Sequence, residues 1–358
     1  MSRSGATVTA EAIMRVQAGA YLSKTEAREA FLPILAGDYP GADVAWGALL
    51  AAVHAHAGGP QPDEVLGFVD AILAYDPALA GQIAAPIRLP DFTQVVAITG
   101  SGKETFKTFN VSTAAALVVT CHPGLGVVKP AGRATSANTG AADVLEHLGI
   151  RLPRSFDEMA EHANRTGLCV FDYHLIAQRY GPRYEGRFHH LHPLSHVTPW
   201  LFVPVGMDAL VFGIAEPNTG LAAHVISEVG PARAAVVCTE VGTLGTMDEY
   251  APFGTTHLTT VDARTTQTAI VDRGLPADLA CLRQPANPHA SAAFIEVVLS
   301  GDAPPLAVDL VVANAALMLS LTGIALADAE AYCRDYIASG RATRRLHDIR
   351  HASTETLR

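Results

Sequence analysis

The chain has 358 residues, of which 49% are apolar and 17% are charged. This composition can fill a sizeable core, with room for two domains, and it excludes an intrinsically disordered chain. The net charge of −10 and the pI near 5.8 argue against general nucleic-acid binding, which requires a basic surface. The five cysteines form no Cys-x-x-Cys pair, so we expect reduced thiols instead of disulfides or a thiolate metal site.

The N-terminus has no apolar h-region of the kind found in secretory signals, which predicts a cytoplasmic protein. The most membrane-like run, residues 310–327, is short and carries Asn314. A buried core helix is the better interpretation of that run, so no membrane contact is predicted.

Residues 10–75 show a helical pattern and no strand signal. Ser23, followed three residues later by Glu26, predicts a capping box at the start of one helix. Gly- and Pro-containing breaks at 37–41 and 58–62 separate further helices. We therefore predict a small N-terminal helical subdomain, connected by a linker that contains several prolines.

The next segment predicts a strand, a tight turn and a helix. Residues 94–98 are apolar and rich in β-branched side chains, as in a buried strand. The turn at 100–102, Gly-Ser-Gly, can approach a ligand closely because glycine has no Cβ. Ser112 or Thr113 can then cap an alanine-rich helix. Such a helix start favours an anion, because its N–H groups are unpaired and its dipole is positive there.

A second strand, turn and helix follow in the sequence. Residues 126–128 predict a strand that ends on Lys129, and a helix over 141–148 ends before Gly149. Two such turns in series are typical of a diphosphate-binding floor. A Walker A loop at Gly102-Lys103 is not predicted, because that motif requires glycine at position 97 and Ser or Thr at position 104.

Beyond residue 150 the strand and helix alternation resumes, with apolar strands at 209–214 and 234–238 around a helix at 221–229. Such alternation predicts a mainly parallel central sheet covered by helices, and hence an α/β fold. The predicted helical subdomain comprises residues 1–76, joined in space by about 153–195. The predicted large domain comprises residues 77–152 and 196–358.

These fragments, taken in order, resemble the anthranilate phosphoribosyltransferase family. The first family turn, Gly-Thr-Gly-Gly-Asp before Thr-Phe-Asn-x-Ser-Thr, corresponds to Gly-Ser-Gly-Lys-Glu at 100–104 and Thr-Phe-Asn-Val-Ser-Thr at 108–113. The second, Lys-His-Gly-Asn-Arg before Ser-Ala-Asp-Val-Leu-Glu, corresponds to Lys-Pro-Ala-Gly-Arg at 129–133 and Ala-Ala-Asp-Val-Leu-Glu at 141–146. The resemblance covers nearly the whole chain and is patchy only around 180–210.

The resemblance implies a site for phosphoribosyl diphosphate with Mg²⁺ as cofactor. Family members carry Mg²⁺ ligands where this chain has Asp248 and Glu249, and carboxylate oxygens suit this hard cation, with Ser112 as a further oxygen ligand. Lys129 would pair with the diphosphate, and together with Asp248 and Glu249 it forms the predicted catalytic set. The predicted contacts to phosphoribosyl diphosphate are Gly100, Ser101, Gly102, Lys103, Thr108, Asn110, Ser112, Thr113, Lys129 and Ser136.

The acceptor site departs from the family. Where the family holds anthranilate with histidine, asparagine and arginine side chains, this chain has, at or near those places, Pro130, Gly132, Val197 and Leu201. A carboxylate would therefore lose its partners. The histidine-rich segment 187–200 predicts polar and stacking contacts to another aromatic acceptor, through Tyr180, Arg183, His189, His190, His192 and His196.

A zinc site in the histidine-rich segment is disfavoured. His192 and His196 would have to share one face of a helix, and Pro193 and Pro199 break the helical register.

The predicted function is transfer of 5-phosphoribose from phosphoribosyl diphosphate to a nitrogen or carbon nucleophile on a small aromatic or heteroaromatic acceptor other than anthranilate, in secondary metabolism. The alternatives are pyrimidine-nucleoside phosphorolysis, anthranilate phosphoribosyl transfer itself, and ligand binding without catalysis. Pyrimidine-nucleoside phosphorylases related to this family need no metal-binding Asp-Glu loop, so Asp248 and Glu249 favour the transferase. The resemblance further implies a homodimer formed through the helices of residues 10–75.

Overall fold

The structure is a computed structural model that describes residues 4–133 and 139–355, the last two of them by their backbone alone. The described chain begins with five helices: α1 (Gly5–Gln17), α2 (Lys24–Ala36), α3 (Ala42–His54), α4 (Pro62–Tyr75) and α5 (Pro77–Ala84). The capping box predicted at α2 is confirmed, because the Ser23 hydroxyl accepts from the Glu26 amide and the Glu26 carboxylate accepts from the Ser23 amide. It satisfies two of the amides that a helix start leaves unpaired.

The remaining described chain forms a sheet and its covering helices. The strands are β1 (Gln94–Gly100), β2 (Leu125–Ala131), β3 (Leu168–Asp172), β4 (Ala209–Gly213), β5 (Arg233–Glu240), β6 (Thr246–Met247), β7 (Thr255–Asp262) and β8 (Thr265–Asp272). The helices are α6 (Val111–Val119), α7 (Ala141–His147), α8 (Phe156–Thr166), α9 (Tyr173–Ile176), α10 (Gly181–Tyr184), α11 (Thr198–Leu201), α12 (Thr219–Val229), α13 (Pro288–Ser300), α14 (Pro305–Ser320), α15 (Leu326–Ala338) and α16 (Arg341–Glu355). Short 3₁₀ turns occur at Pro193–His196, Gly242–Leu244 and Ala280–Leu282.

The strand order is β3-β2-β1-β4-β5-β7-β8, with β6 paired to β5. The five strands β1 to β5 are parallel, whereas β6 and β7 run antiparallel to β5, and β8 runs antiparallel to β7. The predicted α/β fold with a mainly parallel sheet is confirmed. The antiparallel β7-β8 hairpin was not predicted.

Both faces of the sheet are covered by apolar layers, which explains the uninterrupted apolar runs of its central strands. Along β1, Val96 and Ile98 pack into a core with α6 and α14 on one face. Val95 and Ala97 point to the other face, into a core that includes the side chains of the N-terminal helices. The sheet therefore holds the two halves of the molecule together and aligns the ends of its parallel strands along one edge.

The segment that was predicted to join the helical subdomain, 153–195, is divided in the structure. Its first part belongs to the sheet layer, because β3 pairs with β2 and α8 packs on β3 and α16. Its later part lies against the N-terminal helices, where the Asp76 carboxylate accepts from the amides of Arg179 and Tyr180. The exact division of the chain into domains stays a prediction.

Within the described ranges, no single helix combines the length and apolar character needed to cross a membrane. The pair Pro288–Ser300 and Pro305–Ser320 meets that test only in combination, across a bend of 83°.

Candidate active site

One cavity lies where the parallel strands end, and ten of the residues predicted from the sequence line it. Its volume is about 230 Å³. The predicted residues in its wall are Gly100, Ser101, Gly102, Lys103, Thr108, Asn110, Ser112, Lys129, Asp248 and Glu249. Residues that come from two loops, two strands and the first turn of α6 therefore meet around one space.

Asp248 holds the first glycine turn in place. Its Oδ2 atom accepts from the Gly102 amide at 3.0 Å and lies 3.3 Å from the Ser101 hydroxyl. The loop that carries Asp248 crosses the ends of β1 and β4, and each of these strands ends on a glycine. A Cβ on Gly100 would lie 2.5 Å from Asp248 Oδ2, and a Cβ on Gly213 would lie 1.8 Å from the Asp248 carbonyl oxygen. The close approach of the Asp248 backbone requires glycine at position 213, whereas a Cβ at position 100 would force the Asp248 carboxylate to shift.

Three carboxylates gather at this end of the cavity. Glu249 is 6% exposed, and its Oε1 accepts from the Thr108 hydroxyl at 2.6 Å. Burial and the neighbouring charge of Asp248 raise the pKa of Glu249 above its usual range. Burial and Asp248 also raise the pKa of Glu104 to about 7, although Lys107 opposes this with an ion pair at 3.2 Å. Burial and mutual repulsion therefore favour the protonated forms of Glu104 and Glu249 when no cation is near.

The donor set of this cluster fits Mg²⁺. The Oε2 atoms of Glu104 and Glu249 are buried and have no hydrogen-bond partner among the described residues. Such oxygens are costly unless a proton or a cation meets them. Mg²⁺ typically takes one or two protein carboxylates and completes its octahedron with water and substrate phosphates, so Asp248 and Glu249 suffice as protein ligands.

Lys129 lies in the same wall and is almost fully buried, at 4% exposure. Its ammonium group donates to the Pro130 carbonyl oxygen at 3.1 Å. Burial lowers the pKa of Lys129 to about 8, and the charge of Asp248 opposes this. A desolvated ammonium of this kind pairs more strongly with an anion than a solvated one does.

The start of α6 supplies further polar groups. Val111 and Ser112 line the cavity, so the positive end of the helix dipole faces it. Asn110 also lines it, and its Oδ1 accepts from the hydroxyls of Thr139 at 3.0 Å and Ser291 at 2.8 Å. Thr113 does not line the cavity and is buried behind it. Ser136 lies outside the described residues.

The far half of the cavity is largely aromatic and differs from the predicted acceptor wall. It is lined by Pro130, Gly132, Tyr173, Gly181, Tyr184, Glu185, Phe188, Thr198, Pro199 and Phe202. The hydroxyl of Thr198 donates to that of Tyr184 at 3.1 Å, and the Tyr173 hydroxyl donates to the Pro199 carbonyl oxygen at 3.2 Å. A planar ring can stack in this half.

The structure brings none of the six predicted acceptor residues to the cavity wall. His189 and His190 are exposed, whereas burial lowers the pKa of His192 far below its usual value. His196 is fully buried, with Nε2 2.8 Å from Glu216 Oε1. Arg183 donates to the Leu35 carbonyl oxygen and pairs with Asp43, and Tyr180 stacks behind Tyr184 with ring centroids 5.3 Å apart.

Of these six, Arg183 and Tyr180 fasten the 173–202 segment to the N-terminal helices. The four histidines are either exposed or fully buried, and none lines the cavity. The residues missed by the sequence interpretation include Tyr173 and Glu185. Tyr173 had a usable signal, because it directly follows β3, and ligands in open α/β sheets bind beyond the carboxyl ends of the strands.

A second group of possible metal ligands borders the cavity. Among the described residues, only Asp172, His174 and Glu185 bring three such ligand atoms within 4.8 Å of one another. His174 Nε2 lies 2.5 Å from Glu185 Oε2, and Arg133 Nε lies 3.7 Å from Asp172 Oδ2. Ion pairs account for this group without a metal.

The fold and the cavity together define an α/β glycosyltransferase with an N-terminal helical bundle. A model of the glycosyl transferase family a/b domain matches residues 93–343, and a model of the family's helical bundle domain matches residues 10–75. The chain is 33% identical to anthranilate phosphoribosyltransferase of Moorella thermoacetica, covering 93% of this chain and 95% of the relative. It is 30% identical to that of Shouchella clausii, covering 92% and 94%. The chain belongs to the anthranilate phosphoribosyltransferase family.

Solved structures share the fold. Anthranilate phosphoribosyltransferase from Thermus thermophilus matches with a TM-score of 0.75 at 24% identity, covering 96% of this chain and 99% of its own. The Saccharomyces cerevisiae enzyme in complex with phosphoribosyl diphosphate and Mg matches with a TM-score of 0.76 at 20% identity, covering 98% and 99%. The predicted resemblance to this family is therefore confirmed over nearly the whole chain.

Proposed function

We propose that this chain is a Mg²⁺-dependent phosphoribosyltransferase that moves 5-phosphoribose from phosphoribosyl diphosphate to a small aromatic or heteroaromatic acceptor other than anthranilate. The observation that carries the proposal is the meeting of Lys129, Asp248 and Glu249 around one cavity beside the start of α6. Relatives in this family act as anthranilate phosphoribosyltransferases, and one yeast relative is known in complex with phosphoribosyl diphosphate and Mg.

Different residues of this chain have different roles in the transfer. In the transfer, a nitrogen or carbon of the acceptor bonds to ribose C1, the C1–O bond to diphosphate breaks, and its electron pair leaves with the diphosphate. The acceptor atom then loses its N–H or C–H proton to water. Lys129 neutralises the departing charge, and the dipole of α6 adds to this. Mg²⁺, held by Asp248 and Glu249 with Ser112 nearby, would supply further charge neutralisation when bound. The aromatic half of the cavity orients the acceptor and excludes water.

A thermal-unfolding panel, followed by an assay of transfer, tests the transferase against two of the three alternatives, phosphorolysis and ligand binding without catalysis. The panel contains phosphoribosyl diphosphate, phosphate and nucleosides, each with and without Mg²⁺. We expect phosphoribosyl diphosphate with Mg²⁺ to stabilise the protein by about 3 kcal/mol at roughly a hundredfold excess over Kd. Stabilisation by phosphate and a nucleoside, without any by phosphoribosyl diphosphate, would identify a phosphorylase. A protein that binds Mg²⁺ and phosphoribosyl diphosphate but transfers to none of a panel of aromatic amines and heteroaromatics would be a binding protein.

Anthranilate is expected to be a poor acceptor. Pro130 and Gly132 offer no side-chain hydrogen-bond donor, so an acceptor carboxylate in the aromatic half of the cavity would be desolvated without a matched partner. An unpaired buried anion costs several kcal/mol. Steady-state assays with anthranilate should show turnover well below about 1 per second, a typical lower value for a dedicated enzyme. Faster turnover would make anthranilate itself the acceptor.

We expect the affinity for Mg²⁺ and phosphoribosyl diphosphate to fall as the pH rises through about 8, because the pKa of Lys129 lies there and only the ammonium form pairs with diphosphate. Calorimetry at fixed free Mg²⁺ should show about tenfold weaker binding at about pH 9 than at about pH 7. Between about pH 8 and pH 10.5 the unfolded chain binds the proton that folded Lys129 has lost, so the contribution of this group to stability rises with pH. An affinity for phosphoribosyl diphosphate that does not change between about pH 7 and about pH 9 would contradict the assignment of Lys129 to the diphosphate.

We also propose that two copies pair through the N-terminal helices. Two apolar side chains on these helices are open to solvent, Met14 at 59% exposure and Val44 at 77%. Burying such side chains favours association. Light scattering at micromolar concentration should give twice the chain mass of 37.6 kDa, and Val44→Asp should shift the protein toward monomer. A monomeric wild-type protein would refute the pairing.

A further inference from the structure

The acceptor half of the cavity combines aromatic walls with one carboxylate. Tyr173, Tyr184, Phe188 and Phe202 supply rings, and Glu185 lies among them. Glu185 has a side-chain exposure of 20%, so it is largely withdrawn from solvent. A largely buried carboxylate retains a strong preference for hydrogen-bond donors.

One oxygen of Glu185 is already engaged, and the other faces the cavity. Oε2 lies 2.5 Å from His174 Nε2, which fixes the carboxylate. A Cβ built on Gly132 would lie 3.8 Å from Oε1 and 3.2 Å from Tyr173 Cε2. The space above Gly132 is therefore bounded by the Tyr173 ring and by Oε1.

The cations around this space are occupied. Arg133 pairs with Asp143 at 3.2 Å, Glu146 at 3.1 Å and Asp172 at 3.7 Å. The Lys103 ammonium donates to the Phe188 carbonyl oxygen, and Lys129 serves the diphosphate end. An acceptor carboxylate placed over Gly132 would meet the negative charge of Glu185 first, and like charges at such range repel.

We propose that Glu185 selects the acceptor, and that the acceptor is a neutral or cationic aromatic or heteroaromatic ring whose N–H groups donate to Glu185 Oε1. This inference rests on the proposed function and names the acceptor class of that site. The ring stacks against Tyr173 and its neighbours while an amino or ring N–H group reaches the carboxylate. Glu185 thus takes part in acceptor specificity, not in displacement of the diphosphate.

Two probes of nearly equal shape test the inference. 1,2-Phenylenediamine and anthranilate differ by an amino group in place of a carboxylate, and each is titrated calorimetrically into the full-length protein with Mg²⁺ and diphosphate present. Wild-type protein should bind the diamine at least about tenfold more tightly. Glu185→Gln, which keeps the shape and removes the charge, should reduce this preference to about twofold or less.

Further variants separate the possible outcomes. Glu161→Gln, the same carboxylate-to-amide change on the exposed surface of α8, is the matched control and should keep the preference. An unchanged preference in Glu185→Gln would overturn the inference. So would wild-type preference for anthranilate that Lys103→Met removes, because the acceptor carboxylate would then pair with Lys103.

Binding of phosphoribosyl diphosphate with Mg²⁺ is measured on the same samples. If it is present and the probe preference is reversed, only the acceptor class is wrong. If it is absent, the proposed function itself fails.

Discussion

Replacing Asp248 with asparagine and Glu249 with glutamine should abolish the Mg²⁺ dependence of phosphoribosyl diphosphate binding and lower kcat/KM by about 10²- to 10⁴-fold. Each lost charge-assisted contact costs roughly 1.5 to 3 kcal/mol, and two such contacts give this range. The amide oxygens can still accept from Gly102 N–H and the Thr108 hydroxyl, so the local structure should persist. Assays across a Mg²⁺ titration measure the effect.

The double variant should also unfold at the same or a higher temperature. The raised pKa of Glu249 reports that its charged form is disfavoured in the folded protein, chiefly by burial. Neutral amides remove that penalty, so loss of activity without loss of stability separates a metal-binding role from a structural one. Asp328→Asn with Glu330→Gln on α15 is the matched control and should leave the Mg²⁺ dependence and kcat/KM unchanged. A double variant of Asp248 and Glu249 that keeps its Mg²⁺ dependence would rule these residues out as ligands.

Lys129→Met should weaken binding of phosphoribosyl diphosphate by at least about 30-fold, since removing one member of a buried charge pair costs roughly 2 to 5 kcal/mol. The free protein should at the same time become more stable, because burial has already lowered the pKa of Lys129 to about 8, which shows that its charge is costly there. Calorimetry and thermal unfolding measure the two effects.

Lys24→Met is the control for the lysine variant, because Lys24 is half-exposed and pairs with Asp70 on the surface of the N-terminal helices. It should change binding by less than about twofold. Full affinity in Lys129→Met would show that the ammonium does not meet the diphosphate.

The diphosphate end of the cavity was largely predictable from sequence because its residues sit at strand ends. Lys129 belongs to β2, Gly100 ends β1, and Ser112 lies in the first turn of α6, so local pattern alone brings them to one edge of the sheet. The N-cap of α6 is Asn110, and the prediction of Ser112 or Thr113 as the cap was wrong. Asp248 and Glu249 were identified by resemblance. Their burial was not evident from sequence, since an Asp-Glu pair in a loop is usually solvated, and here Glu249 is 6% exposed.

The acceptor end was not predictable in the same way. The direction of His192 and His196 depends on how several short helices between residues 173 and 202 pack against the N-terminal bundle, and no periodicity marks helices of four residues. The β7-β8 hairpin was missed for a related reason. Every residue of Thr265–Asp272 is exposed, so β8 has no alternation of buried and solvated side chains to reveal it.

Isothermal titration of the wild-type protein with phosphoribosyl diphosphate, in Mg²⁺ and again in excess chelator, tests the central claim most directly. The arrangement of Lys129, Asp248 and Glu249 predicts one site per chain, with binding at least about tenfold tighter in Mg²⁺. Equal affinity under both conditions, or no binding in either, would contradict it.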